Sequence, residues 1–229
     1  MLENAIIIPY RDRRKHLEYF IDNTVPLIQK HLPHTKVIVV EQANDKLFNR
    51  GKLLNVGFME YKDKTKYFFT HDVDINPTED ILKEYYIYNV TSKKVWGIYT
   101  SACNTLGGII KIRSEDIFMA NGFPNDIWGW GAEDKALQNR TEFFDIVKIV
   151  NFTPKTKGAQ LKFKRFDDVA DRVSINHSKN YQYNYIEFVK FSKEKKKSEI
   201  FKSGLNNIDY RILSTEKISD MVEIIKVDI

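Results

Sequence analysis

Asp72 and Asp74 stand two residues apart at the end of Tyr67-Phe68-Phe69-Thr70, a run that reads as a strand and delivers His71-Asp72-Val73-Asp74 at its C-terminal end. Two carboxylates so close repel each other unless a cation or an Arg offsets them. A hard divalent ion held through one or two carboxylates is a common way to neutralise a departing diphosphate. Turn carboxylates capping the backbone before Pro77 are the competing reading. Trp128-Gly129-Trp130-Gly131-Ala132-Glu133-Asp134 is harder to explain by stability alone, since its glycines cost backbone entropy and its indoles expose apolar rings. A hinged lid that stacks on a sugar would use both. Glu133 and Asp134 open the next helix, where the macrodipole favours carboxylates, and an ionised Asp beside a hydroxyl can take its proton as that hydroxyl attacks. His177, in Ser174-Ile175-Asn176-His177, reads alone as a structural or surface residue. Beside Asp74 a neutral imidazole can complete a metal's coordination.

Two further segments place cations and aromatics at a rim. Pro9-Tyr10-Arg11-Asp12-Arg13 follows the first expected strand, where guanidinium forks suit phosphate or a pyrimidine carbonyl and Tyr10 can stack near a base. Phe48-Asn49-Arg50 repeats the pattern before a helix, although Phe48 alone reads as core and Arg50 alone as solvated. Gly107-Gly108 allows close backbone approach.

The elements that must position these residues alternate. Ala5–Ile8, Val37–Val40, residues 67–70, Val95–Ser101, Ile109–Ile112 and Ile146–Phe152 read as strands. Helices are expected over Leu17 to Ile28, Gly51 to Tyr61, after a Thr78 cap, from Ser114, and from about Ala132 to Phe143. Pro154 to Lys164 and Lys193 to Lys197 read as basic, solvated loops. The fold class is therefore α/β with one domain over residues 1–229, and ligands are expected outside the carboxyl ends of the strands, where the acidic pair lies.

The 36 Lys and Arg against 31 Asp and Glu leave a net charge of +5 with both signs mixed, which suits an anionic ligand without requiring nucleic acid. Cys103 is the single cysteine, so an intrachain disulfide and a cysteine-held zinc or iron–sulfur site are excluded. No apolar run approaches the roughly 18 residues a membrane helix needs. With no leader-like start, a cytoplasmic location is the expectation.

Taken together, Ile6 to Arg13, Phe48 to Phe58, His71 to Asp74, Asn121-Gly122-Phe123-Pro124-Asn125, the Trp-Gly run, Gly204-Leu205-Asn206 and Val227-Asp228 resemble the β-1,4-galactosyltransferases across nearly the whole chain. The resemblance implies a single GT-A domain with a Rossmann-like mixed central sheet and an inverting transfer of galactose from a UDP-sugar to a sugar hydroxyl. It implies that Arg11, Arg13, Phe48 and Arg50 hold the uridine nucleotide, with Pro9, Tyr10, Val73, Gly107, Gly108 and Trp130 in the same donor-binding set. It implies Mn2+, or Mg2+, on Asp74 and His177, with Asp72 beside them. Asp134 would be the catalytic base, with Glu133 next to it and Trp130 on a loop that closes over the donor.

Three positions depart from the family pattern. Lys135 replaces an Asp that helps to hold the acceptor, which suits an acidic or phosphorylated acceptor. Ser174 replaces a Met metal ligand found in vertebrate members, which leans the site toward Mg2+. Thr105 replaces a Tyr that crowds the donor sugar's C2 substituent, so UDP-GalNAc competes with UDP-Gal as donor. Another UDP-hexose with an unusual acceptor, and a catalytically silent nucleotide-sugar or glycan-binding module, are the alternatives.

Overall fold

The computed structural model describes residues 1–129, 131–165, 182–186, 188 and 197–229 of the 229-residue chain. Its centre is an eight-stranded mixed sheet built on β1 (Leu2–Tyr10), β2 (Thr35–Gln42) and β3 (Thr65–Thr70), with β1 parallel to both neighbours. Ala5 to Ile8 is wholly buried because helices cover both faces, and a strand in that position must be apolar on both sides. Side chains alternate across the pleat: Ile6 and Ile8 join one core, Ala5 and Ile7 the other.

The first core is closed by α1 (Arg14–Tyr19) and α2 (Val25–His31), joined through a wider turn at Phe20–Thr24. The second is closed by α3 (Arg50–Glu60), which contributes Leu53, Leu54, Val56 and Phe58. Gly57 lets α3 approach the sheet, since a Cβ there would collide with Ile7 Cγ2 and lie 3.0 Å from Ile7 Cδ1.

Beyond β3 the sheet changes sense. After β4 (Ile75–Pro77) come β5 (Lys94–Tyr99) and β6 (Ile109–Arg113); β6 runs antiparallel between β3 and β5, and β7 (Val147–Phe152) adds parallel to β5. Within this half, α4 (Glu79–Ile81) and a wide turn at Leu82–Tyr86 follow β4, while α5 (Ser114–Met119) and α6 (Glu133–Phe143) lie between β6 and β7. Every expected strand is present within a few residues, as are the expected helices. The cap at Thr78 differs: its side chain makes no capping bond, and its backbone N–H instead donates to Lys162 O at 2.9 Å.

Pro154 to Lys164 is not simply a solvated loop. It contains α7 (Ala159–Lys162) and leads into β8 (Phe163–Arg165), which pairs antiparallel with β4, Ile75 opposite Arg165. Phe163 supplies the reason, with its ring 4.5 Å from that of Tyr99 and 5.4 Å from that of Phe152, while the lysines around it lie over aromatic faces: Lys162 on Phe152 and Lys164 on Tyr19. Of the second basic run, Lys193 to Lys196 lie outside the described residues, and Lys197 begins α8 (Lys197–Ile200). The chain ends in a hairpin of β9 (Arg211–Lys217) and β10 (Val222–Asp228), with β10 parallel to β2. No helix among the described residues is long and apolar enough to cross a membrane.

Candidate active site

Asn49 fixes the start of α3. Its side chain accepts from Lys52 N at 2.9 Å, its Nδ2 donates to Asn125 O at 2.7 Å, and its backbone N–H donates to Gln42 Oε1 at 2.9 Å. The next residue, Arg50, is thereby aimed into the cleft at the carboxyl end of the sheet. Its Nε donates to Asp72 Oδ1 at 2.8 Å, and its NH1 stands 3.8 Å from Glu133 Oε1 and 4.0 Å from Asp134 Oδ1. Burial opposes the guanidinium's charge, but Asp72, Asp134 and Glu133 outweigh it and raise its pKa. One Arg therefore ties the end of β3 to the first turn of α6.

Arg50 thus faces three of the site's four carboxylates, Asp72, Glu133 and Asp134. Glu133 is pushed well above the usual carboxylate range by burial and by the neighbouring Asp134, and its Oε2 is buried without a hydrogen-bond partner among the described residues. Asp74 is also raised, by burial and by Asp72, against the pull of Arg165 and Arg13. Arg165 NH2 lies 3.4 Å from Asp74 Oδ2. Hard carboxylate donors in a site short of positive charge fit a divalent cation. Among the described residues no group of three His, Cys, Asp or Glu converges as a metal site, and His177 and Ser174 lie outside them. Of the expected ligands, Asp74 and Asp72 lie among the described residues. Asp72, also expected as a ligand, is ion-paired to Arg50 at 2.7 Å.

His71 is a structural residue. It is fully buried, its Nδ1 lies 3.0 Å from Asp72 O, its Nε2 lies 2.8 Å from Tyr86 Oη, and burial lowers its pKa to about 4. The neutral ring thus holds the backbone of the acidic pair.

Two of the rim segments come together. Arg11 NH1 donates to Lys46 O at 2.6 Å and its guanidinium lies 5.5 Å from the centre of the Phe48 ring. Pro9 and Tyr10 end β1 as buried residues, and Arg13 stands at the start of α1 close enough to act on Asp74. Val73 is buried in the first core. Gly107 packs directly on Asp134: an added Cβ would collide with Oδ2 and lie 2.7 Å from Cγ. Gly108 has φ +83°, and a Cβ there would collide with Tyr99 O.

Trp130 lies outside the described residues, but the loop on either side of it is anchored. Before it, Gly129 N–H donates to Phe48 O at 2.8 Å and Asn184 Nδ2 donates to Trp128 O at 3.0 Å; after it, Gly131 O accepts from Asn184 Nδ2 at 3.4 Å. Lys135, just after Asp134, sits 5.3 Å from the centre of the Tyr185 ring.

Sequence reasoning missed Arg165, Asn184 and Arg140. The buried Arg140 donates through NH1 to Asn121 O and Gly122 O, both at 3.0 Å, and through NH2 to Ser203 O at 2.6 Å. It ties α6 to the two loops that carry Asn121-Gly122 and Gly204-Leu205-Asn206.

Residues 1–88 match the N-terminal region of glycosyl transferase group 7, and residues 90–178 match the N-terminal domain of galactosyltransferase. The chain belongs to the β-1,4-galactosyltransferase family. β-1,4-Galactosyltransferase 4 of Cricetulus griseus is 30% identical over 223 residues, covering 93% of this chain and 59% of the relative. Human β-1,4-galactosyltransferase 1 is 31% identical over 223 residues, covering 93% of this chain and 52% of the relative. The chain thus spans little more than half the length of these curated relatives. In structure it is similar to Drosophila β-1,4-galactosyltransferase 7, solved as a mutant with manganese, UDP-Gal and xylobiose, with TM-score 0.78 at 24% identity over all of this chain and 94% of that one. That similarity establishes the GT-A fold, in which strands from both family-matched stretches share the central sheet.

Proposed function

We propose that this member of the β-1,4-galactosyltransferase family is a metal-dependent, inverting hexosyltransferase. It moves galactose from UDP-Gal to a hydroxyl of a sugar acceptor and leaves a β linkage. The observation that carries this reading is Arg50, which draws the acidic pair after β3 and the Glu133-Asp134 start of α6 into one cleft.

Asp74 and His177 would hold a divalent cation, Mn2+ or Mg2+, which when bound would supply positive charge for the departing diphosphate. The Arg11–Phe48 stack and Arg13 receive the uridine nucleotide at the rim. Asp134, held against Gly107, takes the proton of the acceptor hydroxyl as its oxygen bonds to the anomeric carbon and the bond to the diphosphate breaks. Glu133 is the carboxyl of this pair pushed toward its protonated form, so the base role falls to Asp134. Trp130 closes over the donor.

Thr105 favours a second donor. It is smaller than the Tyr common in animal members, and its hydroxyl lies 2.8 Å from Ser101 Oγ, so it crowds the donor sugar less than a Tyr would and supports use of UDP-GalNAc. Lys135 beside Asp134 suits an acceptor carrying negative charge.

Asp134→Asn separates an enzyme from a silent binding module. Transfer is expected to fall at least about 10²-fold while UDP binding stays at the wild-type level. Equal transfer by wild type and variant would remove Asp134 from the mechanism.

A further inference from the structure

Gly131 and Ala132, the two residues before α6, both have positive φ, +97° and +78°. Glycine takes that conformation freely, but an alanine keeps it only where its surroundings impose it. Here they come from a helical stretch at residues 182–186 and from Phe188. Phe188 packs against Ile127, Ala132 and Ala136. Asn184, only 2% exposed, donates from Nδ2 to Trp128 O at 3.0 Å and to Gly131 O at 3.4 Å. The amide faces this way because two carbonyls need an NH2 group and not an oxygen. Gly131 O lies in the rigid peptide plane that turns with φ of Ala132, so holding this carbonyl holds that torsion. Asp134 follows two residues on, in the first turn of α6, against Gly107 and 4.0 Å from Arg50 NH1.

We propose that Asn184 is a positioning residue of the transfer reaction: acting through the Gly131-Ala132 turn, its amide sets where Asp134 meets the acceptor hydroxyl. This rests on the function proposed above. The torsions of Ala132 set the direction in which α6 leaves the turn, and Asp134 lies within the first helical turn after them. An Ala132 relaxed to negative φ would swing the Gly131 carbonyl off Asn184 Nδ2 and move the carboxylate from its seat on Gly107. A displacement of about 1 Å is enough to cost roughly 10²-fold in rate. The nucleotide rim is built separately, with Arg11 held by Lys46 O and lying over the Phe48 ring, so the effect of Asn184 on transfer is separable from nucleotide binding.

The test is a double-mutant cycle on the whole chain: wild type, Asn184→Ala, Asp134→Asn and the two combined, with Asn184→Asp as a variant of equal size. Transfer from UDP-Gal in saturating MnCl2 gives kcat, calorimetric titration gives the affinity for UDP, and circular dichroism melting confirms that each variant is folded. Asn184→Ala is expected to lower kcat roughly 10- to 10²-fold and to bind UDP as wild type does. Asn184→Asp should be slower still, because its carboxylate has no proton to donate and meets two carbonyls. In the Asp134→Asn background, Asn184→Ala should cost nothing further, since both changes remove the same contribution. The proposal is overturned if Asn184→Ala or Asn184→Asp turns over as fast as wild type. It is also overturned if Asn184→Ala costs the same factor with and without Asp134, or if UDP affinity falls in step with kcat, because Asn184 would then act on some other part of the protein. Wild-type protein that binds UDP but transfers to no acceptor would remove this proposal together with the function beneath it.

Discussion

Asp134 lies directly against Gly107, so the position of the proposed base depends on a missing side chain two elements away. Gly107 does not have a positive φ, so its backbone accepts alanine and the collision with the carboxylate is the main consequence of adding a methyl. Gly107→Ala is expected to lower kcat by roughly 10²-fold, the scale of a misplacement of about 1 Å, with a melting temperature near that of wild type. Steady-state kinetics beside a thermal melt checks both; an unchanged kcat would mean that Asp134 needs no such seat.

Arg50 compensates Asp72 strongly and Glu133 and Asp134 at longer range. Arg50→Met leaves those carboxylates with an uncompensated buried charge and is expected to cost about 3–5 kcal/mol of stability. The carboxylates can relieve the strain by taking up protons, so the loss should be larger at pH 8 than at pH 5. Urea denaturation at the two pH values measures it, and equal stability of variant and wild type at pH 8 would contradict the pairing.

His71 makes the acidic pair's support sensitive to pH. Burial lowers its pKa from 6.5 to about 4, so the unfolded chain binds a proton through that window while the folded chain does not. Stability is therefore lost as pH falls from about 6.5 to 4, by about 3 kcal/mol from this residue. Glu133 and Asp74, raised in the fold, work in the opposite direction. Comparing wild type with His71→Gln by chemical denaturation from pH 7 to 4 isolates the histidine: wild type should lose about 3 kcal/mol more than the variant, and parallel curves would show that the ring is not buried neutral.

The core strands were readable because burial on both faces demands uninterrupted apolar runs such as Ala5 to Ile8, and the helix at Glu133 because its acidic first turn follows a Gly-rich break. Phe163 and Arg165 were not, since a three-residue strand among lysines shows no periodicity and its purpose depends on a partner at Ile75. The Asn49–Asn125 and Arg140–Ser203 bonds are equally invisible locally, because each joins residues more than sixty positions apart. Asp72 was legible as a site residue, but its partner was not: nothing in the chain order says that Arg50 lies within 2.8 Å of it.

Thr105 bears on the donor. Wild type is expected to use UDP-GalNAc as well as UDP-Gal, whereas Thr105→Tyr should retain UDP-Gal and lose at least about tenfold in kcat/KM for UDP-GalNAc through steric exclusion. Turnover of both donors by the two proteins checks this. If Thr105→Tyr leaves the ratio of the two donors unchanged, this side chain does not set the choice.

UDP release from UDP-Gal, measured with a panel of free sugars and simple glycosides in MnCl2, MgCl2 or a chelator, tests the central claim most directly. The account predicts metal-dependent release that one acceptor stimulates, abolished by the chelator and by Asp134→Asn, with a β-linked galactoside as product. Release that is indifferent to metal, or an α-linked product, would contradict it.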